Sequence, residues 1–275
     1  MSKVNILNLI LFIAVISLGF VIYHSEKENT NLDLLTNIDA NDINSIIIRH
    51  NTNRTTLAKD SADHWRITQP ISVDVNNFRI SSLLKLLYAP VHSQYSVNEF
   101  DLSSIGLDAA KTSVTFDDIT INFGISNPTT SLRYIRIGDS IYTIQDAFYP
   151  LISSDIGTLV SFNLLPNNSH IEKLVLKNQT ISKDENGRWQ SNIEISADNI
   201  NKTLEHWQQD QAFGVHKYLP RKNLGEVFVY LMNNTKPIVF SITDDDPWLI
   251  LARTDLGIEY HLDVKAYNNL IVPTK

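Results

Sequence analysis

The sequence contains no cysteine, and glycine, proline and charged residues are scarce. Its 275 residues include 9 Gly and 9 Pro, and 19% are charged. Without cysteine the chain forms no disulfide, carries no thiolate nucleophile and lacks the usual ligands of an iron–sulfur cluster. The phosphate-binding pattern GxGxxG, the P-loop pattern and the nucleophile pattern GxSxG are absent too. We therefore expect no cofactor.

Positive charge is in short supply as well. Lys and Arg total 23 and Asp and Glu total 30, which gives a formal net charge of −7. A nucleic-acid-binding domain needs a basic surface that neutralises phosphates, so we expect no nucleic-acid partner. Because 43% of the residues are hydrophobic, the chain can bury the core of one large domain or of two ordinary ones.

One long hydrophobic run stands at the start of the chain. Residues 4–23 carry no charge, and about 20 residues at ~1.5 Å each span a hydrocarbon core of about 30 Å as a helix. The run predicts a transmembrane anchor over residues 1–23 that contacts the lipid bilayer through residues 4–23. Lys3 precedes the run and Glu26 follows it, so the N-terminus is expected in the cytoplasm, with a single pass through the inner membrane.

The alternative interpretation of this run is a cleaved secretory signal. Ser17 and Gly19 form a poor cleavage site, and cleavage there leaves an apolar stub from Phe20 to Tyr23. Both interpretations place the remaining chain in the periplasm. Residues 24–41 are polar and predict a tether.

Two stretches of the remaining chain, residues 42–160 and 170–275, show the same succession of predicted strands. In each, a hairpin leads to a tryptophan, and Trp65 and Trp189 are 124 residues apart. Two tyrosines seven residues apart end each stretch: Tyr142 and Tyr149 in the first, Tyr260 and Tyr267 in the second. Because these pairs are 118 residues apart, a duplicated unit of roughly 100 to 120 residues accounts for both spacings, with a linker at residues 161–169.

A helix is expected after the tryptophan in both stretches. Asp74 and Asp198 each lie nine residues beyond the tryptophan and precede an apolar pattern, so we expect them to be helix N-caps. Trp65 and Trp189 are expected to pack in the core, and stacking on a ligand is the alternative. The predicted fold class is α+β: an N-terminal transmembrane helix followed by two repeated modules, each a mainly antiparallel sheet with one packed helix.

No group of residues has the spacing of a catalytic or metal site. The eight histidines include no HExxH pattern, and His206 and His216 are the pair considered for zinc, with a surface or structural role as the alternative. The acidic run Asp244 to Asp246, like Asp117, predicts a hairpin turn, and a Ca²⁺ site is the alternative for the run. We therefore assign no catalytic and no metal-binding residue, leave the ligand-binding residues unknown, and expect the protein not to be an enzyme.

Part of the first stretch resembles a known family. The features that carry the resemblance are Trp65, Pro70, Asp74, the phrase Ile105-Gly106-Leu107-Asp108 and the strand ending Ile141-Tyr142. They are similar to a bacterial family catalogued as domain of unknown function 4340 (DUF4340), over roughly residues 42–160. The second stretch keeps Trp189 and Asp198 but lacks the proline and the Gly-Leu-Asp phrase. The resemblance implies a membrane-anchored envelope protein, sometimes associated with transport or gliding-type gene clusters, and supplies no catalytic residue.

The leading functional hypothesis is a single-pass, membrane-anchored scaffold or partner-binding protein of the periplasm. It is accessory to a transport system, and its expected partners are other envelope or transporter proteins. One alternative is a periplasmic small-molecule or glycan-binding module that uses Trp207, Trp248 and nearby tyrosines in the cleft between the modules. The other is a hydrolase that uses carboxylates such as Asp244 and Asp246.

Overall fold

The computed structural model describes residues 11–20 and 32–272, and two antiparallel sheets dominate this part of the chain. The first sheet contains β1 (Ser45–His50), β2 (Asn53–Lys59), β3 (Trp65–Gln69), β4 (Val73–Asp74), β5 (Ser93–Ser96), β6 (Thr112–Phe116), β7 (Ile119–Ser126), β8 (Leu132–Ile137) and β9 (Ser140–Gln145). The second contains β10 (Ile171–Leu176), β11 (Gln179–Lys183), β12 (Trp189–Ser191), β13 (Gly214–Lys217), β14 (Gly225–Leu231), β15 (Ile238–Asp244), β16 (Trp248–Arg253) and β17 (Ile258–Asp263).

The helices are short. Four α-helices follow the helical segment at residues 11–20: α1 (Asn77–Leu84), α2 (Tyr149–Ser153), α3 (Ala197–Gln209) and α4 (Ala266–Leu270). Single 3₁₀ turns cover Ala40–Asp42, Lys85–Tyr88, Val97–Glu99 and Ile156–Leu159. α3 is the longest of the four, and its buried residues recur at helical spacing on one face, as expected for a helix laid on a sheet: Ile200, Thr203, Leu204 and Trp207.

The strands follow the alternation of apolar and polar residues. In β1, Ile46 and Ile48 are buried while Arg49 is exposed, the period of two that a strand with one covered face requires. β15 and β16 instead contain the buried runs 240–243 and 249–252. Consecutive buried residues mean that both faces of the second sheet are covered at this place.

The two sheets share one strand order. The first runs β4-β3-β2-β1-β6-β7-β8-β9-β5 and the second β12-β11-β10-β14-β15-β16-β17-β13. Apart from β4, each sheet begins with three strands in antiparallel succession and continues into a four-stranded meander. Each sheet ends on the strand that follows its longer helix in the chain, which is β5 after α1 and β13 after α3. That strand, β5 or β13, pairs with the last strand of its own meander.

Residues 156–163 join the two sheets. Val160 forms a bridge with Val75 beside β4, and Asn163 forms one with Gln211 just before β13. The 3₁₀ turn Ile156–Leu159 packs against β13, where a Cβ on Gly157 would lie 2.3 Å from the Val215 carbonyl oxygen. Glycine is therefore required at this contact. Buried apolar side chains of both sheets form one continuous core, and a second, smaller cluster covers part of the first sheet's other face.

The predicted fold class is wrong in two respects. The described chain consists mainly of antiparallel strands, and each sheet is followed by a second helix of only five residues, α2 or α4, so one packed helix per module does not describe it. Within residues 11–20 and 32–272, no helix is long and apolar enough to cross a membrane. The anchor predicted for residues 1–23 also includes positions 1–10 and 21–23, which lie outside the described residues, as do residues 24–31 of the predicted tether.

The predicted helix caps are wrong too. Asp74 lies in β4, and α1 is capped by Asn76, whose side chain accepts a hydrogen bond from the Arg79 amide. α3 is capped by Ser196, with Asp198 in its first turn. Asn and Ser cap helices as well as Asp does, so an aspartate close to either start did not settle the position. Asp198 in the first turn still interacts favourably with the helix dipole.

Candidate functional site

Two exposed aromatic rings lie in contact at the β13 end of the second sheet. Phe213 is 55% exposed and Trp248 is 47% exposed, and their rings meet edge to face with centroids 5.1 Å apart. The Phe213 amide donates to the His261 carbonyl oxygen, and Trp248 lies opposite Asp263 in the β16–β17 pair. Trp248 is thus the first residue of β16, and Phe213, one residue before β13, is hydrogen-bonded to β17.

Two imidazoles continue this surface. The His216 and His261 rings have centroids 4.6 Å apart, and His261 also meets Phe213 edge to face at 6.2 Å. We call Phe213, His216, Trp248 and His261 the aromatic surface. It lies on the outer face of the second sheet, the face turned away from the main core.

A buried carboxylate lies beneath the aromatic surface. The side chain of Glu259 is 1% exposed, and directly opposite it on β13 is His216. Its Oε2 accepts hydrogen bonds from the Leu219 amide at 3.0 Å and from Arg221 Nη1 at 2.7 Å. Its Oε1 accepts from Arg221 Nη2 at 3.2 Å and contacts His261 Nε2 at 2.9 Å. All acceptor positions of the carboxylate are therefore occupied.

These contacts set the charge state of the carboxylate. Burial alone would raise the pKa of Glu259, because a low-dielectric environment disfavours the charged form. The hydrogen bonds donated by Arg221, the Leu219 amide and His261 outweigh burial, so the pKa of this carboxyl lies below its ordinary value. The same ion pair raises the pKa of Arg221.

The pair Arg221–Glu259 attaches residues 218–224 to the outer face. This segment connects β13 to β14 without regular secondary structure. Ile250 and Ala252 lie opposite His261 and Glu259 on the same face and are both buried. We call residues 218–224 the Arg221 segment.

The predicted residue Asp74 connects the first sheet to the segment that leads into the second. Its Oδ1 is 2.5 Å from Arg66 Nη1, and its Oδ2 accepts from the Asn167 amide at 3.0 Å. Tyr260 lines the same junction, and burial raises the pKa of its phenol to about 12. Asp74 therefore has a positioning role, since both of its oxygens are occupied by structural contacts.

The four tryptophans considered for ligand stacking differ in exposure. Trp207 is fully buried, donates its indole N–H to the Leu270 carbonyl at 2.9 Å and cannot reach a ligand. Trp65 and Trp189 are half-buried and pack against the core. Only Trp248 of these four is exposed, and it lies on the outer face of the second sheet.

The residues considered for metal binding have protein partners. His206 Nδ1 contacts Asp210 at 3.1 Å, and His216 stacks on His261. In the acidic turn between β15 and β16, Asp244 Oδ1 accepts from the amides of Asp245 and Asp246. Asp117 accepts from the backbone and hydroxyl of Ser45 and so fixes the start of β1. Among the described residues no three His, Asp or Glu side chains are grouped to hold a metal ion.

Sequence reasoning considered Trp248 and His216 but missed the other half of the aromatic surface, Phe213 and His261, and the Arg221–Glu259 pair beneath it. None of the missed residues carries a motif, because their meeting depends on the pairing of β13 with β17, which are far apart in the chain. The one local signal is Glu259-Tyr260-His261, in which polar residues flank a core tyrosine at strand spacing.

Comparison with known proteins gives one match. A family model described as Domain of unknown function (DUF4340) matches residues 65–209. No curated protein and no solved structure matches the chain. The matched range runs from β3 to α3, so the aromatic surface lies beyond it.

Proposed function

The chain belongs to the DUF4340 family, and we propose that it is a non-enzymatic binding module that recruits a partner protein through the aromatic surface of its second sheet. The exposed Phe213–Trp248 pair carries this proposal. Large aromatic side chains are the residues that most often dominate binding energy at protein interfaces. Two of them in contact on an outer face form an apolar patch that a partner can cover.

The surroundings suit a binding surface. The backbone of both aromatic residues is held by the sheet, Trp248 within β16 and Phe213 by its hydrogen bond to β17, so little backbone entropy is lost when a partner covers them. Asp263 and the two imidazoles lie at the rim, where they can form hydrogen bonds that orient a partner and make its binding specific. Glu259 is fully hydrogen-bonded to protein groups, which supports a structural rather than a catalytic use of this carboxylate.

A site-specific crosslink tests the proposal. In the full chain expressed in its own cells, Phe213 is replaced by the photoreactive residue p-benzoylphenylalanine. We expect one discrete crosslinked protein, and the additional change Trp248→Ala should lower its yield roughly tenfold or more.

Phe78 supplies the matched control, because it is an exposed phenylalanine (73%) that lies on α1 and is not part of the aromatic surface. The same photoreactive residue at position 78 should not capture that protein. Equal capture from both positions, or no dependence on Trp248, would refute the proposal.

A second candidate, glycan binding, rests on the position of Trp248. Its exposed ring lies beside imidazole and carboxylate side chains, the combination that stacks on a sugar face and hydrogen-bonds its hydroxyls. Titration with soluble cell-wall glycan fragments, followed by tryptophan fluorescence, should show saturable binding that Trp248→Ala abolishes. Unchanged fluorescence with every fragment eliminates this candidate.

The location in the bacterial envelope, with a partner among envelope or transporter proteins, stays a prediction. Fusing alkaline phosphatase or β-galactosidase to the C-terminus of the full chain tests it. An active phosphatase fusion is expected for a periplasmic C-terminus, whereas an active β-galactosidase fusion alone contradicts it.

We also propose that the two sheets arose by duplication. The shared strand order and the two tyrosine pairs 118 residues apart support this origin. It predicts that the second sheet has diverged at the aromatic surface, where a binding function was acquired.

A further inference from the structure

A cavity of about 230 Å³ lies at the junction of the two sheets, on the face of the second sheet opposite to the aromatic surface. The first sheet contributes Arg66 and residues 72–74, and the connection between the sheets contributes residues from 161 to 166. The second sheet and its turns contribute Asn234, Ile238, Arg253, Leu256 and Tyr260. Sites for small molecules often lie between structural units in this way.

The hydroxyl of Tyr260 meets this cavity without a hydrogen-bond partner. Tyr260 is 4% exposed and lines the cavity, and its Oη forms no hydrogen bond within residues 11–20 and 32–272. In the same ranges the fully enclosed side-chain atoms that lack a partner are Thr56 Oγ1 and Thr143 Oγ1, so the Tyr260 hydroxyl is not enclosed. A hydroxyl that has largely left water without gaining a partner is unfavourable, and an acceptor on a ligand would satisfy it.

Arg253 supplies a second donor on the same face. Tyr260 lies opposite Leu251, and Arg253 lies two residues beyond Leu251 on β16, so the side chains of Arg253 and Tyr260 are both on the core face. Both are also close to Phe240: the guanidinium carbon is 5.6 Å from the ring centroid of Phe240, and the Tyr260 centroid is 6.1 Å from it. Arg253 Nε and Nη2 donate to Asp255, whereas Nη1 has no partner in the described part of the chain.

The charges around the cavity disfavour an anion. Arg66 pairs with Asp74 and Arg253 pairs with Asp255, so each guanidinium already has a carboxylate partner. Burial, together with the charges of Asp74 and Asp255, raises the pKa of Tyr260 to about 12, although Arg253 lowers it. The surroundings of the hydroxyl therefore oppose negative charge. Two free donors in such surroundings select a neutral acceptor, and the carbonyl oxygen of an amide has two lone pairs to accept from both.

Aliphatic side chains form the rest of the complementary surface. Leu164 is buried, and Ile238 and Leu256 are half-buried. Ile238 lies two residues before Phe240 on β15 and therefore shares the core face with Tyr260 and Arg253. A short hydrocarbon chain attached to the amide would be shielded from water here.

We propose that this cavity binds a small neutral amide with a short aliphatic chain. The carbonyl oxygen accepts hydrogen bonds from Tyr260 Oη and Arg253 Nη1, and the chain lies against Ile238 and Leu256. Because both sheets and their connection line the cavity, the bound amide also stabilises the junction. The site does not depend on the function proposed for the aromatic surface, which lies on the other face of the second sheet.

An NMR titration of the purified, ¹⁵N-labelled full chain tests the carbonyl group and the aliphatic chain of the ligand. Isovaleramide should shift the backbone amide resonances of Arg253 and Tyr260 saturably and should raise the thermal midpoint. Isovalerate has the same shape but carries a charge, 3-methylbutan-1-ol lacks the carbonyl group, and acetamide lacks the branched chain. Each of these three should bind roughly fivefold more weakly or worse.

Tyr260→Phe assigns the site, because it removes only the hydroxyl. It should weaken the binding of isovaleramide roughly fivefold, the loss expected for one hydrogen bond. The variant should fold, since the hydroxyl has no hydrogen bond within the described residues to lose. Tyr142→Phe is the matched control: Tyr142 is half-buried in the first sheet and is not part of the cavity lining, so this variant should keep the affinity unchanged.

The proposal is wrong if isovaleramide causes no saturable shifts, if isovalerate binds as tightly, or if Tyr260→Phe and Tyr142→Phe have the same affinity. Trp248→Ala should bind isovaleramide like the unaltered protein. Conversely, Tyr260→Phe should retain the crosslink at position 213, so that the two proposals fail or stand separately.

Discussion

The outer faces of the two sheets are covered in different ways, the first by apolar side chains and the second by a segment held through an ion pair. In both sheets the segment that follows the edge strand, β5 or β13, crosses the outer face. One residue of the neighbouring strand, β9 or β17, lies opposite the middle of that edge strand. That residue is Ile141 beside Tyr95 in the first sheet and Glu259 beside His216 in the second. Ile141 is fully buried, and Glu259 is nearly so.

The first sheet covers its outer face with apolar groups. Residues 97–111 separate β5 from β6, and Ile105 and Leu107 join Ile141 in the smaller hydrophobic cluster. Between them Gly106 has φ +71°, a conformation that glycine adopts without strain. The Ile105 carbonyl accepts from the Ile125 amide at 2.9 Å. The phrase Ile105-Gly106-Leu107-Asp108 thus attaches this segment to β7.

The second sheet attaches a shorter segment by charge. Residues 218–224 are seven residues against fifteen for residues 97–111, and Arg221 bound to Glu259 replaces the hydrophobic cluster. The shorter cover leaves Phe213 and Trp248 exposed. The absence of a Gly-Leu-Asp phrase from the second sheet and the exposure of the aromatic surface are thus parts of one structural difference.

Transplanting the charge into the first sheet should have the largest effect. Ile141→Glu places a carboxylate among Tyr95, Phe100 and Tyr134 in the smaller cluster. Arg136 is half-buried and directly opposite on β8, so it offsets part of the cost of burying this charge, and we expect a loss of about 3 kcal/mol of unfolding free energy. Ile141→Val, the control, should cost about 1 kcal/mol. Urea denaturation measures both. A loss for Ile141→Glu no larger than the control would mean that the two outer faces are interchangeable.

Removing the charge from the second sheet should cost less. Glu259→Gln keeps the shape of the side chain but weakens its contacts with Arg221, which is partly exposed, and we expect a loss of about 2 kcal/mol at neutral pH. Because the folded-state pKa of Glu259 is depressed, its stabilisation is present above its ordinary pKa of about 4.5 and is lost as the pH falls through the folded value. The variant should therefore lose less stability than the unaltered protein below that pH. Parallel acid curves would show that the charge of Glu259 does not attach the Arg221 segment.

Tyr142 and Tyr260, which are 118 residues apart, differ in burial on the core side of the two sheets. Burial raises the pKa of Tyr260 to about 12, whereas Tyr142 is only half-buried. The stabilisation by protonated Tyr260 is complete below about pH 10 and is lost as the pH rises towards 12, by roughly 2 kcal/mol. Tyr260→Phe should flatten this alkaline loss, and Tyr142→Phe is the control. Equal alkaline curves for the two variants would contradict the difference in burial.

The strands could be predicted from sequence because their signals are local. The β-branched run at residues 46–48 marks β1, and the turn residues Asp244 to Asp246 and Pro247 precede the start of β16 at Trp248. Strand order has no such signal, since β13 and β5 pair with strands far along the chain. α2 and α4, at five residues each, are too short to show a helical period.

The grouping of Phe213 and His261 with Trp248 and His216 could not be predicted, for a related reason. Trp207 and Trp248 are the same residue type, and nothing local reveals that the first is buried on Phe240 while the second is exposed. Exposure depends on how much of the outer face the Arg221 segment covers, which is a property of the assembled sheet. The likeness of the two strand orders became visible only with the pairings.

The smallest expected effect concerns a lysine and tryptophan pair present in both sheets. Lys59 Nζ lies 5.8 Å from the Trp65 ring centroid and Lys183 Nζ lies 5.2 Å from that of Trp189, each pair being directly opposite across two strands. Lys183→Ala should cost about 0.5 kcal/mol, the contribution of an exposed cation–π contact. Lys59→Ala should cost about 1 kcal/mol, because Lys59 also donates to the Asn41 carbonyl at 2.8 Å. Urea midpoints of the two variants measure the difference, and a larger loss for Lys183→Ala would mean that the ring contact outweighs the added hydrogen bond.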